Sequence, residues 1–170
     1  MAPALAEVPI PTELETTFRT HAGMVFRTAY RLTGNAADAE DVLQTVFLRL
    51  MRRGSSAAAL ESPQSYLRRA SINVALDLIR ERQRGAEAPI DDRPGGLSHN
   101  DAELRDCLRR ALAKLDKRHA EMFALRFLEG HSNREIAQIM GMSATMVAVT
   151  IFRTRRKLQQ EIRSYTQGGK

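Results

Sequence analysis

Tryptophan is absent from this chain, aromatic residues make up 5% of its 170 positions, and there is one cysteine, Cys107. A core without many large rings has to be built from Leu, Ile, Val, Ala and Met. A lone Cys107 excludes an intramolecular disulfide and cannot make a zinc site; it falls on a helical apolar stretch, where a buried, inert thiol is expected. The four histidines, His21, His99, His119 and His131, include no pair at metal-ligand spacing. There is no Gly-rich phosphate loop, no Gly-x-Ser-x-Gly and no pair of catalytic carboxylates. The residues therefore predict neither an enzyme nor a metal, cofactor or small-molecule substrate. No uncharged run approaches the roughly 20 residues that span a bilayer. The apolar, Pro-broken stretch Met1–Pro11 has no basic leader, so a cytoplasmic location is expected.

What the chain has is positive charge. Its net charge is +6 and its calculated pI about 10.1. The excess lies in the last third, where residues 101–170 hold 14 basic and 8 acidic side chains. Such a surface favours polyanions, without by itself separating nucleic acid from anionic membrane. Few runs alternate at period two, and helix formers dominate, so an all-α fold is predicted.

The stretch that organises the chain runs from Ser132 to Ser143. Ser132 and Glu135 have capping-box spacing, which starts a helix. Ile136, Ala137, Ile139 and Met140 give it an apolar face. Gly141 can take the left-handed conformation that stops it, and Ser143 can cap a second helix. Short helix, Gly turn and capped second helix make a helix-turn-helix, whose second helix enters the DNA major groove. At about 100° per residue, Val147, Ile151, Thr154, Leu158 and Ile162 share the inward face of that helix. Thr145, Val149, Phe152, Arg153 and Arg156 face outward. Thr, Val and Arg near a helix N-terminus suit base edges, thymine methyls and phosphates. An amphipathic helix with a solvated basic face fits the same pattern.

Earlier in the chain, residues 1–11 read as a tail. A second capping box, Thr12 to Glu15, opens a helix ending near Gly34. Asn35 caps the next, to about Arg53, on which Ala39, Val42, Leu43, Val46, Phe47 and Leu50 form one stripe. Its other face sets Leu48 among Asp38, Asp41, Gln44, Thr45 and Arg52. A leucine ringed by acids and amides suits a basic docking partner; a lone exposed Leu is also ordinary. Gly54–Glu61 reads as a loop. Ser62-Pro63 then starts a helix to about Arg84, with Leu67, Ala70, Val74 and Leu78 inward. Arg69, Asn73, Asp77, Arg80 and Arg84 line another face, suited to phosphates and a base or simply to water. Residues 85–100, rich in Pro, Gly and Asp, form a linker of at most about 53–58 Å. The second unit, 101–165, opens with helices from Leu104 and after Asp116, followed by the helix-turn-helix and a tail at 166–170. The prediction is thus two small helical domains, 12–84 and 101–165.

Three of these stretches resemble the bacterial sigma-70 family, in its small extracytoplasmic-function (ECF) group. Gly34 through Asp38-Ala39-Glu40-Asp41 to Gln44, Phe47 and Leu48 is similar to the acidic segment of sigma region 2. Ser62 through Tyr66, Leu67, Asn73, Asp77 and Arg80 is similar to its promoter-melting helix. Phe123 through Arg126, Glu129, Gly130 and Ser132 to Arg155 is similar to sigma region 4. The resemblance implies that Asp38, Asp41, Gln44, Thr45, Phe47 and Leu48 dock on the clamp helices of the β′ subunit of core RNA polymerase, with region 4 at the β flap. It implies that Asn73 captures a flipped base of the −10 element, beside Arg69, Asp77, Arg80 and Arg84, in a pocket completed by the Gly54–Glu61 loop. It also implies that Thr145, Ala148, Val149, Thr150, Arg153, Arg155 and Arg156 lie on or beside the −35 reader, and that an anti-sigma protein restrains the factor.

The chain departs from that pattern in two places. Tyr66 stands where relatives often carry Trp, and Ala148-Val149-Thr150 stands where they commonly carry basic residues. The −35 readout should therefore lean on apolar and shape contacts, with the arginines on phosphates. A helix-turn-helix repressor or activator that never binds polymerase, using the first unit to dimerise, is the alternative from another class. A protein-only adaptor with a solvated basic face is a third.

Overall fold

The computed structural model describes residues 12–53, 62–85 and 99–167. The expected tail at 1–11, the Gly54–Glu61 loop, most of the 85–100 linker and residues 168–170 of the expected tail at 166–170 lie outside them, while residues 166 and 167 belong to the last helix rather than to a tail. The described residues form seven α-helices and no strand: α1 Thr12–Thr33, α2 Ala36–Arg53, α3 Pro63–Gly85, α4 His99–Ala113, α5 Lys117–Phe127, α6 Asn133–Met140 and α7 Ala144–Gln167.

Local chemistry sets most of these boundaries. Gly34, at φ 79°, ends α1, and its N–H donates to the Tyr30 carbonyl at 2.8 Å. The Asn35 side-chain oxygen accepts from the Asp38 N–H at 2.7 Å and caps α2. Ser62 Oγ accepts from the Ser65 N–H at 3.3 Å, with Pro63 in the first turn of α3. Asp116 caps α5 through the Arg118 and His119 N–H groups.

Helices α1, α2 and α3 pack on one another. Val25, Ala29 and Leu32 of α1 are buried, as are Ala39, Val42, Val46 and Leu50 of α2. Helices α4, α5 and α6 all contact or lead into α7, around Leu112, Met122, Leu125, Ile136, Val147 and Leu158. The inward face predicted for α7 is the one observed: Val147, Ile151, Thr154 and Leu158 are buried, and Ile162 is partly so. Of the apolar residues expected inward from Leu104 through Leu108, Ala111 and Leu112 to Leu115, Leu104 alone lies exposed.

Helix α3 is the hinge of the architecture. Leu67, Ser71, Ile72, Val74, Ala75, Leu76 and Ile79 are all buried, which covers about half its circumference at about 100° per residue. Of the residues predicted inward, Leu67 and Val74 are buried and Ala70 and Leu78 half-buried, so the buried side is broader than the predicted face and turned from it. The reason is that α4 and α5 pack on a second side of α3. The two units therefore meet, and their buried apolar residues form one continuous core.

Candidate nucleic-acid interface

The helix-turn-helix forms as its residue types dictate. Ser132 Oγ accepts from the Glu135 N–H at 3.2 Å, and Glu135 Oε2 accepts from the Ser132 N–H at 2.7 Å. The Ser132 N–H foremost, and then the Ser132 hydroxyl, holds the Glu135 carboxyl below the usual carboxylate range. Gly141 sits at φ 63°, ψ 45° and stops α6. Ser143 Oγ accepts from the Met146 N–H at 3.2 Å and starts α7. The chain bends by 106° between the two helices, within the range of about 90–120° for this motif.

On α7, Thr145, Ala148, Val149, Arg153, Arg155 and Arg156 are exposed and Thr150 is half-buried. All seven predicted −35 residues thus reach one outward region of the helix. Two large neighbours join them: Phe152 is 61% exposed and Met146, which periodicity alone did not single out, is 55% exposed. Beside Met146 lies an open cavity of about 410 Å³ whose rim includes Arg118, His119 and Ser143.

The α3 face is different. Arg69 Nε donates to Glu121 Oε1 at 2.6 Å, and its Nη1 donates to the Ile139 carbonyl at 3.1 Å. Arg80 caps the C-terminus of α4, donating to the Ala113 and Leu115 carbonyls at 3.3 and 3.1 Å. Lys117 Nζ meets both Asp77 oxygens at 3.2 and 3.0 Å. The Asn73 amide donates to the Arg69 carbonyl at 3.0 Å, while its side-chain oxygen is buried and finds no partner among the described residues. Of the five predicted −10 residues Arg84 is exposed, and Arg69, Asn73, Asp77 and Arg80 are half-buried. Contacts from α4, α5 and the end of α6 occupy this side of α3.

Further contacts tie the units. Arg31 and Arg68 of the first unit hold Glu129 of the second at 3.0 and 2.5 Å. Arg109 of α4 donates to the Leu32 carbonyl at 3.1 Å, passing so close to Gly34 that an added Cβ would collide with its guanidinium. Sequence reading missed Glu121 altogether and the part that Glu129 plays between the units. Acids within basic helices look solvated, and the only signal is an arginine 52 or 61 positions away.

On α2, Asp41, Gln44 and Leu48 are exposed, with Leu48 at 51%, and Thr45 is half-buried. Asp38 and Phe47 point inward. Asp38 is 3% exposed, accepts from Asn35 Nδ2 at 2.6 Å and pairs with Arg82 of α3. Phe47 is 6% exposed and meets Phe18 edge-on at 4.7 Å between centroids. Neither offers its side chain to a surface partner; both shape the face that Leu48 crowns. Phe18 and Met51, each 44% exposed, extend the exposed apolar surface of the first two helices.

An all-α chain that presents a capped helix-turn-helix from one helical unit, and packs a second, arginine-lined unit against it, defines a DNA-reading protein. Residues 17–85 match the model of Sigma-70 region 2, and residues 105–158 match that of Sigma-70, region 4. The chain is 32% identical over 155 residues to an RNA polymerase sigma-E factor of Streptomyces avermitilis, covering 89% of this chain and 86% of that one. It is 31% identical over 157 residues to the ECF RNA polymerase sigma factor SigE of Mycolicibacterium smegmatis, covering 87% of this chain and 61% of that one. In fold it is similar to the sigma factor RpoE of Bartonella quintana, solved in complex with the anti-sigma factor NepR, at a TM-score of 0.56 and 18% identity over 89% of this chain and 97% of that one. The chain belongs to the ECF group of the sigma-70 family.

Proposed function

We propose that the chain binds core RNA polymerase and directs it to promoters, with α7 reading the −35 duplex and α3 engaging the −10 element. The observation that carries this reading is the order of two family regions, 17–85 then 105–158, on a chain whose α7 presents an uncovered, basic-flanked face. That combination supports an initiation factor over a repressor whose first unit only dimerises. Asp41, Gln44, Thr45 and Leu48 form the polymerase-docking face, and Asp38 and Phe47 support it from beneath. Arg69, Asn73, Asp77, Arg80 and Arg84 serve the −10 strand. Flipping a base there costs a few kcal/mol, which pocket and backbone contacts offset. The packed arrangement therefore has to part before α3 can act. An anti-sigma partner, like the one bound by the Bartonella factor, would act on this same choice between closed and open forms.

The test is run-off transcription from genomic DNA fragments with and without core polymerase. Discrete transcripts that need both components are expected. Asp41→Arg combined with Leu48→Arg changes two exposed positions, so the fold should survive while polymerase binding is lost. Unchanged binding by the folded double variant would sink the docking assignment.

A further inference from the structure

The start of α7 is poor in the side chains that distinguish bases by hydrogen bonding. In the major groove, guanine is read by Arg or Lys, adenine by Asn or Gln, and cytosine by Asp or Glu. Residues 144–152, Ala-Thr-Met-Val-Ala-Val-Thr-Ile-Phe, contain none of these six types. Thr145 and Thr150 are the polar members, and a threonine hydroxyl bonds to donors and acceptors alike. The first two turns therefore lack a bidentate hydrogen-bond reader.

What they present instead is apolar. Met146, Val149 and Phe152 are 55%, 41% and 61% exposed and follow one another at intervals of three along the helix. Val147 and Ile151, between them in sequence, turn inward at 0% and 8%. The Arg156 guanidinium lies 5.9 Å from the centre of the Phe152 ring, a cation–π distance that steadies an otherwise mobile ring. Exposed arginines 153, 155 and 156 follow the stripe on the same helix, and residues 143–157 include no acid. An apolar stripe followed by arginines on a helix start free of acids complements a polyanion.

One feature of the major groove is apolar and base-specific, the C5-methyl group of thymine. Resting on the reading of α7 as the −35 helix, we infer that Met146, Val149 and Phe152 are specificity-determining residues that recognise thymine methyls. The flanking arginines hold phosphates and set the register, carrying no sequence information of their own. The −35 duplex would then be chosen by the positions of its methyl groups on either strand.

The experiment selects duplexes from a randomised pool with the holoenzyme formed from the full chain and core polymerase, then resynthesises them with single thymines replaced by uracil. Uracil keeps pairing and removes only the methyl. Loss of about four-fold in affinity per contacted methyl is expected, the size of one buried methylene. A 5-methylcytosine·guanine pair, which restores a methyl at the same place, should recover more affinity than unmethylated cytosine·guanine. With Val149→Ala, thymine and uracil should bind alike at the position Val149 touches; because Val149 is exposed, the variant folds, and the lost discrimination separates contact from general damage. Equal affinity of the wild-type holoenzyme for thymine and uracil duplexes, or a selected −35 element made of unmethylated G·C pairs, would overturn the methyl readout and leave the initiation function standing. Failure to select any duplex or to initiate transcription would overturn the promoter-reading function on which it rests.

Discussion

Arg69 of α3 and Glu121 of α5 are joined at 2.6 Å across the meeting of the two units, Glu121 with 6% of its side chain exposed and Arg69 with 40%. The arginine nominated for the −10 strand is thus held by a carboxylate of the chain itself. Arg80 is held by carbonyls in the same way, and Asp77 by Lys117. A nucleic-acid strand offers arginine anionic phosphate oxygens and base carbonyls; here the Glu121 carboxylate and backbone carbonyls take those places on Arg69 and Arg80, so the second unit occupies the arginines of the −10 face with acceptors of the same kind. The outward face of α7 is not occupied in this way. On the proposed roles, the closed arrangement leaves the duplex-reading face of α7 open and the strand-capturing face of α3 covered.

Removing the two glutamates should therefore open the molecule. Glu129 has 2% of its side chain exposed and faces Arg68 at 16% and Arg31 at 50%. Breaking a buried pair by removing one partner costs roughly 3–5 kcal/mol when the other charge stays buried. Arg31 and Arg69 can rehydrate, which brings the expected loss of closure for Glu121→Gln with Glu129→Gln to about 3 kcal/mol, near a hundred-fold in the equilibrium. Small-angle scattering of the full chain should show a larger radius of gyration, and binding of a single-stranded −10 oligonucleotide should strengthen. An unchanged radius in the folded double variant would mean that apolar packing alone keeps the units together.

Asp38 supplies a second prediction, because burial separates its role from that of Asp41. Asp38→Ala strips an acceptor from Arg82 and from the Asn35 amide. Arg82 is 27% exposed and partly rehydrates, so a loss of about 1–3 kcal/mol is expected. For a chain of this length, 2 kcal/mol lowers Tm by about 4–8 °C. Asp41→Ala, at an exposed site, should stay within about 0.5 kcal/mol of wild type. Polymerase binding lost through Asp38→Ala should return on cooling, as the fold recovers. A loss that persists in fully folded Asp38→Ala would make Asp38 a direct contact after all.

How much of this was legible in the sequence follows from the range of each interaction. The caps at Asn35, Ser62, Asp116 and Ser132 were legible because each partner lies within three residues. The inward face of α7 was legible because one helix repeats one periodicity. The burial of Asp38 was not, since an acid in a first turn reads as a surface complement to the helix dipole and only Arg82, 44 positions away, explains it. Nor was the covering of Arg69 and Arg80: a polar stripe looks the same in sequence whether water, DNA or another helix lies against it. Met146 escaped for the opposite reason, as methionine near a helix start reads as core, whereas it is 55% exposed beside an open cavity.

The capping box gives the last prediction, through pH. The Glu135 carboxyl, pulled below 4.5 by the hydrogen bonds to Ser132 and by His131 beside it, is lowered in the folded chain relative to the unfolded one. A lowered folded value means that the contribution is fully present above the unfolded value and disappears as pH falls through the folded one. The start of α6 should therefore be firm at neutral pH and loosen below about pH 4.5. Amide exchange at Glu135 and Ile136 should speed up on acidification more than the intrinsic chemistry predicts. Glu135→Gln, which retains an acceptor for the Ser132 N–H but cannot titrate, should remove that extra pH dependence while keeping most of the protection at neutral pH. If the variant shows the same acid response as wild type, another group controls the loosening and the carboxylate–Ser132 bond is not what holds the first turn.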